Sequence, residues 1–264
     1  MTTDPRHVYV VPAYGLSPHL DACLSSLRAQ TLASRIVVST STPSDALAAR
    51  AAAHGVELHV HGPNRGIGPD WNAALAAAGT ALVTLAHQDD TYLPGHAAAV
   101  VGAFRTHPGA VLAFTDYREL HGDRLRPLNR TLVVKRIQRE IGLLGRDVAA
   151  SRRAKRAMLR FGNSIPCPAV TLDMAAAPDF RFREDMRTNM DWDAWSRLAE
   201  GQGPFLYVRD PLLLHRIHEG SETTACISSG LREREDCEMF EMFWPPAVAR
   251  VLTRLYAGSY ATNR

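Results

Sequence analysis

Between His7 and Thr115, short apolar runs alternate with stretches of helical spacing. His7 to Pro12, Arg35 to Ser39, Val56 to Val60, Ala81 to Ala86 and Val111 to Thr115 each read as a buried strand. The intervening segments Pro18 to Gln30, Ser44 to His54, Pro69 to Ala78 and Leu93 to His107 read as helices. In the first of them Leu20, Cys23, Leu24 and Leu27 share one face. Gly55 and Gly79 close the second and third, and Pro94 sits at the start of the fourth. Strands separated by crossover helices pair in parallel, so this rhythm predicts an α/β fold with a mostly parallel central sheet and helices on both faces.

A chain of 264 residues fits one large domain of this kind or two small ones. Its 46% apolar and 22% charged residues are enough for a packed core and exclude a disordered chain. A formal charge of +3 is too small to argue for nucleic acid as a partner. Cys23, Cys167, Cys226 and Cys237 lack CxxC spacing, which predicts reduced thiols in a cytoplasmic protein, not a disulfide framework or zinc site. Met1 to Arg6 holds no apolar signal core, and no apolar run is long enough to span a membrane.

The second half loses the alternation. Arg124 to Arg160 carries twelve Arg or Lys against the two acids Glu140 and Asp147. Such a segment reads first as a solvated, partly helical excursion. Its functional reading is a patch that meets an anionic partner, such as a lipid phosphate, or a membrane surface. Ala169 to Leu172, Phe205 to Val208 and Leu212 to Ile217 read as strands, and Asp191 to Glu200 as a short helix. Two terminal helices, about Ser229 to Phe243 and Ala247 to Tyr256, are expected to pack on the core through Phe240, Met242, Phe243 and Trp244.

In an open α/β sheet, ligands bind beyond the carboxyl ends of the strands. Five segments there carry chemistry. After the fourth strand, His87-Gln88-Asp89-Asp90 sets two carboxylates side by side, which repel unless a cation or hydrogen-bond donors compensate them. A hard cation held by one or two carboxylates and by substrate phosphates is one solution; a solvated acidic turn is the other. After the first strand, Pro12-Ala13-Tyr14-Gly15 offers backbone amides and a ring that can stack on a base. Asn64-Arg65-Gly66-Ile67-Gly68 leads into a helix containing Trp71 and Asn72, and its glycines permit close approach to a ligand, although it lacks a phosphate-loop signature. Met190-Asp191-Trp192-Asp193-Ala194-Trp195 opens a helix, where Asp191 serves either as a cap or as a carboxylate projecting into a cleft. His215 to Thr224 follows an apolar strand; there His215 and His218 suit a metal, and Arg216 suits phosphate, although a lone histidine is more often structural.

In their order and spacing, from about Val8 to Thr224, these segments resemble the inverting family-2 glycosyltransferases of the GT-A fold. The resemblance implies a Rossmann-like sheet followed by C-terminal helices. Residues 1–117 would form the nucleotide-sugar half of one domain and residues 118–264 the acceptor half. It implies transfer of a sugar from a nucleotide diphosphate sugar to a hydroxyl of a glycan, lipid-linked or small-molecule acceptor, as in polysaccharide biosynthesis. Asp191 matches the general base. Asp89, Asp90 and His218 match the positions that hold Mg²⁺ or Mn²⁺ and the diphosphate. Pro12, Ala13, Tyr14, Ser39, Thr40, Asn64, Gly66, Asn72, Asp89 and Arg216 match the donor site. The setting implied is cytoplasmic, with peripheral contact at the inner membrane face as its variant.

The chain departs from the pattern at three places. Ser39-Thr40-Ser41-Thr42 stands where members often carry an acidic pair that reads the base, which implies weaker base selectivity. His87 replaces the first acid of the metal motif, and Trp71 occupies an often basic position. Two rival readings, a sugar nucleotidyltransferase and a catalytically dead nucleotide-sugar sensor, are weaker. The first calls for a Gly-rich basic loop after the first strand, and the second leaves Asp89, Asp90, Asp191 and His218 without purpose.

Overall fold

The computed structural model describes residues 2–122, 124–218 and 230–258. Its first half follows the alternation of the sequence: β1 (Thr2–Pro12), α1 (Leu20–Arg28), β2 (Leu32–Thr40), α2 (Asp45–Ala53), β3 (Glu57–Val60), α3 (Ile67–Ala78), β4 (Leu82–Leu85), the short β5 (Thr91–Tyr92), α4 (His96–Thr106) and β6 (Leu112–His121). Strands β3, β2, β1 and β4 lie side by side and all parallel. The period of two is visible along β1, where Val8 and Val10 enter one core and Tyr9 and Val11 the opposite one. Leu20, Cys23, Leu24 and Leu27 of α1 are buried in the second core, as their spacing requires.

The second half completes the sheet in a way the alternation does not contain. β9 (Val170–Asp173) inserts antiparallel between β4 and β6. The two strands expected at Phe205 to Val208 and Leu212 to Ile217 are one, β10 (Phe205–Ile217), parallel to β6. Its register slips around Pro211, because a proline has no N–H to give the ladder and is tolerated at an irregularity. The strand order is thus β3-β2-β1-β4-β9-β6-β10-β5. Strands β1, β4, β6 and β10 all end at one edge.

The basic excursion is a short strand β7 (Arg124–Leu125), α5 (Arg130–Leu143), β8 (Val148–Ala149) and α6 (Arg152–Leu159). It is not simply solvated. Arg139 is buried and pairs with Asp116 at 2.7 Å, while the buried Lys155 donates to the Gly201 and Gly203 carbonyls at 2.7 and 3.0 Å. Burying a cation without such partners would cost several kcal/mol, so these charges are structural. The helices α5 and α6 cross so closely at Gly142 that a Cβ there would meet the Ala154 carbonyl and the Met158 side chain.

Helix α7 (Met190–Glu200) buries Trp192 and Trp195, whose indole N–H groups donate to the Leu159 and Ile165 carbonyls. The terminal helices α8 (Leu231–Glu241) and α9 (Pro246–Ala257) pack on this core as expected: Phe240 stands edge-on to Trp192 with ring centroids 5.1 Å apart. Cys23, Cys167 and Cys237 are free thiols; Cys226 lies outside the described residues.

Candidate active site

A cleft of about 870 Å³ opens at the edge where β1, β4, β6 and β10 end. The acidic pair at its floor divides into two different environments. Asp90 is 1% exposed and turned inward: its carboxylate accepts from His215 Nδ1 at 3.0 and 3.1 Å and from the Arg216 N–H at 2.8 Å. Burial raises the Asp90 pKa, but the imidazole and the backbone N–H outweigh it and hold the carboxyl below its usual range. The same pairing overcomes burial at His215 and lifts the imidazole above its ordinary value. Asp90, expected at the metal, lines the cleft and also ties the end of β10 to the end of β4. His215 is its partner.

Asp89 faces the cleft. Its Oδ1 accepts a short hydrogen bond from Ser17, and its Oδ2 lies 3.3 Å from His218 Nε2, with about a quarter of each side chain exposed. Arg216 lines the cleft, but its Nε donates to the Asp89 carbonyl at 3.1 Å and its Nη1 to that of Gly122, so the guanidinium braces the turn. His87 packs against Trp71, with ring centroids 5.1 Å apart. Burial lowers its pKa, and its Nε2 is a buried polar atom without a hydrogen-bond partner at the cleft wall. Residues 219–229, which include the rest of the segment ending at Thr224, lie outside the described residues.

At the β1 end, Pro12, Ala13 and Tyr14 line the cleft, and Tyr14 is 70% exposed. Asn64 and Gly66 form part of the rim. Ser39 and Thr40 are each 1% exposed and do not line it. Thr40 Oγ1 donates to the Ala13 carbonyl at 2.8 Å, and the Ala13 N–H donates to the Ser39 carbonyl, so this turn fastens β2 to β1. The next hydroxyl, Ser41, donates to Asp70 Oδ2 at 2.8 Å, and Asp70 lines the cleft. A carboxylate thus does stand beside the hydroxyl turn, supplied by the first turn of α3. Asn72, expected at the donor, is engaged elsewhere: its amide pairs both ways with the Phe182 backbone, at 3.0 and 2.8 Å.

Asp191 lies at the second position of α7, half-buried on the cleft wall; the helix cap is Asn189. Its Oδ1 accepts from the Trp192 N–H at 2.8 Å and its Oδ2 from Asn163 Nδ2 at 2.6 Å. Burial raises its pKa against these two donors and against the nearby Lys135 and Arg232. Asp193, two residues on, is buried away from the cleft and paired with Arg197 at 2.7 Å, a structural role. The approach to α7 is held rigidly, because Glu235 of α8 accepts from the backbone N–H groups of Arg187, Thr188 and Asn189 at 2.9–3.0 Å.

Residues 9–163 match the family described as glycosyl transferase family 2. The chain belongs to that family. The search of curated proteins returned no match. Among solved structures, residues 1–349 of Staphylococcus aureus TarS superpose with a TM-score of 0.65 at 13% identity, over 94% of this chain and 69% of that one. A mannosyltransferase from Pyrobaculum calidifontis, in complex with GDP-Man and Mn²⁺, gives 0.64 at 13% identity, covering 97% and 75%. Glucosyl-3-phosphoglycerate synthase from Mycobacterium tuberculosis, in complex with UDP, gives 0.56 at 16% identity, covering 87% and 80%. These likenesses establish the GT-A fold of this family-2 glycosyltransferase.

Several residues of the transferase's cleft carry no signal in its sequence. Asp70 and Asn163 stand in no role that the sequence reading assigns, and Lys135 belongs to a segment that reads as solvated. Only the fold brings them to the same opening as Asp89 and Asp191.

Proposed function

We propose that this glycosyltransferase moves a sugar from a nucleotide diphosphate sugar to an acceptor hydroxyl with inversion, with Asp191 as general base. The observation that carries the reading is Asp191 itself: a half-buried carboxylate, its pKa raised by burial, in the same cleft as the open Asp89–His218 pair. The acceptor O–H proton passes to Asp191 as the oxygen attacks the anomeric carbon. The bond from that carbon to the diphosphate breaks on the opposite face, and its electron pair leaves with the diphosphate. A carboxylate made more basic by burial takes the proton better than an ordinary aspartate. Its bonds to Asn163 and to the Trp192 N–H fix its direction.

The donor side fits a divalent cation. The Asp89 carboxylate and the His218 imidazole stand together on the cleft, and among the described residues no cluster of three protein ligands exists, so diphosphate and water would complete the coordination. Asp89 and His218 would hold Mg²⁺ or Mn²⁺, which when bound offsets charge on the leaving diphosphate. The partnerless His87 Nε2 suits a sugar or phosphate oxygen. Tyr14 would stack on the base, and the Asp70 carboxylate, oriented by Ser41, would accept from a base N–H. The ligands named for the solved neighbours, GDP-Man with Mn²⁺ and UDP, are of this class.

The test is a thermal-shift screen of UDP, GDP, dTDP and CDP with Mn²⁺, with Mg²⁺ and with chelator, followed by nucleoside diphosphate release from the matching sugar donors. Metal-dependent stabilisation followed by release supports the reading. Binding with no release from any donor and acceptor would make the protein a nucleotide-sugar sensor, and no binding at all would remove the reading altogether.

A further inference from the structure

The outer face of α5 is apolar where a solvated helix would be charged. Val133, Val134, Ile137, Ile141 and Leu144 fall at helical spacing and are 37–77% exposed. Its other faces are accounted for: Leu132, Arg139 and Leu143 enter the protein, and Thr131 and Lys135 reach the cleft. Helix α9 repeats the arrangement. Val248, Val251 and Leu255 are 41–72% exposed, while Ala249 and Thr253 are buried and Tyr256 reaches the cleft. Thr131 and Lys135 of α5 and Tyr256 of α9 line one cleft, so the two helices that carry the stripes border the same opening. Contiguous exposed apolar surface of this kind marks an interaction site, whereas single exposed side chains do not.

The charges beside the stripes decide what covers them. Exposed Arg130 begins α5, and exposed Arg250 and Arg254 flank Val251 and Leu255 on α9, a helix without an acidic residue. No carboxylate among the described residues pairs with these three arginines, unlike Arg136, Arg139, Arg156 and Arg209 nearby. A second copy docked through this face would set like charges against like across a self-complementary contact. An anionic bilayer meets both features at once: apolar side chains enter the acyl boundary and arginines meet the headgroups.

We propose that the stripes on α5 and α9, with Arg130, Arg250 and Arg254, dock the protein on an anionic lipid surface with the cleft mouth at the membrane. No helix of the described residues is long and apolar enough to cross a membrane, so the contact is peripheral. On the transfer reading above, it would present the cleft to an acceptor carried by a lipid, but docking itself does not depend on that reading.

The test is flotation of the full chain with vesicles of phosphatidylcholine alone and of phosphatidylcholine with about one third phosphatidylglycerol, at low and high salt. Binding is expected to the anionic vesicles at low salt and to weaken as salt rises. Because each basic residue near such a surface is worth about fivefold, R250E/R254E should weaken partitioning by more than about tenfold. I137E/L255E should weaken it at every salt concentration, by removing apolar insertion. All these positions are exposed, and an unchanged melting temperature and unchanged nucleoside diphosphate binding would show that the variants fold. Absence of binding to either vesicle, or variants that bind like the parent, would overturn the proposal. So would a dimer in ultracentrifugation that I137E dissociates, without vesicle binding, since the face would then belong to a second copy.

Discussion

Replacing Asp191 by Asn separates its two candidate roles, and the structure sets the expected magnitudes. As general base the carboxylate is worth about 10²–10⁴ in turnover, or about 3–5 kcal/mol of barrier. The structural effect is smaller and has two opposing parts. The new amide could keep the bond from the Trp192 N–H through its oxygen, but its nitrogen would face Asn163 Nδ2, donor against donor. Asn163 could relieve this by turning its own amide only by giving up the Ile165 N–H, which its Oδ1 now accepts at 3.1 Å. Losing one such bond costs about 1 kcal/mol. Against this, burial disfavours the Asp191 charge, so removing the charge recovers part of the loss at neutral pH. The net change should stay within about 1 kcal/mol, which is about 2–4 °C in melting temperature for a chain of this size. The assay is nucleoside diphosphate release from the donor identified by binding, alongside thermal melting. The double substitution D191N/N163D restores a carboxylate–amide pair in the same place but moves the charge off α7. It should fold normally and remain as slow as D191N. Turnover of D191N within tenfold of the parent would refute the assignment, and so would a double variant that recovers turnover.

The other predictions read different parts of the molecule. Stabilisation by a nucleoside diphosphate with Mn²⁺, about 2.7 kcal/mol at a hundred times the dissociation constant, should shrink to the chelator value in D89N and H218A; equal affinity with metal and with chelator in the parent would dismiss the cation site. Because Asp191 must be ionised and burial raises its pKa, kcat/KM should fall on the acid side above the ordinary aspartate range. N163A, which removes a bond favouring the ionised form, should move that limb to higher pH; a shift downward would contradict the pairing. The buried His7 and His96 have pKa values lowered by burial to about 4 and about 3. An unfolded histidine takes up its proton near 6.5, so this stability is present above about pH 6.5 and is lost as pH falls through that value towards the folded ones, on the order of 2 kcal/mol per histidine by pH 5. Denaturation midpoints unchanged between pH 7 and pH 5 would rule this out. G142A should destabilise the protein by about 1–3 kcal/mol through the α5–α6 crossing, measured by chemical denaturation, and a neutral result would show that the crossing can open without cost.

The first half of the fold was legible because each of its elements obeys a local rule. Apolar runs of strand length, helical spacing at Leu20, Cys23, Leu24 and Leu27, and glycine stops at Gly55 and Gly79 all act within a few residues, and strand–helix alternation fixes parallel pairing. The place of Asp89 at the sheet's carboxyl edge follows from the same logic, because position after a strand is itself local, whereas the local pattern left Asp191 open between a cap and a cleft carboxylate and the fold puts it on the cleft. What only the tertiary structure decided is how distant segments share space. β9 enters antiparallel between two strands that precede it in the chain, and nothing in Val170 to Asp173 states its neighbours. Asp90 and Asp89 are adjacent in sequence yet differ in role, because β10 brings His215 to one and His218 to the other. Arg139 reads as a surface charge until Asp116, twenty-three residues away, meets it in the interior. In each case the deciding energy is a pairing or a desolvation between groups far apart along the chain, and that quantity exists only once the chain has folded.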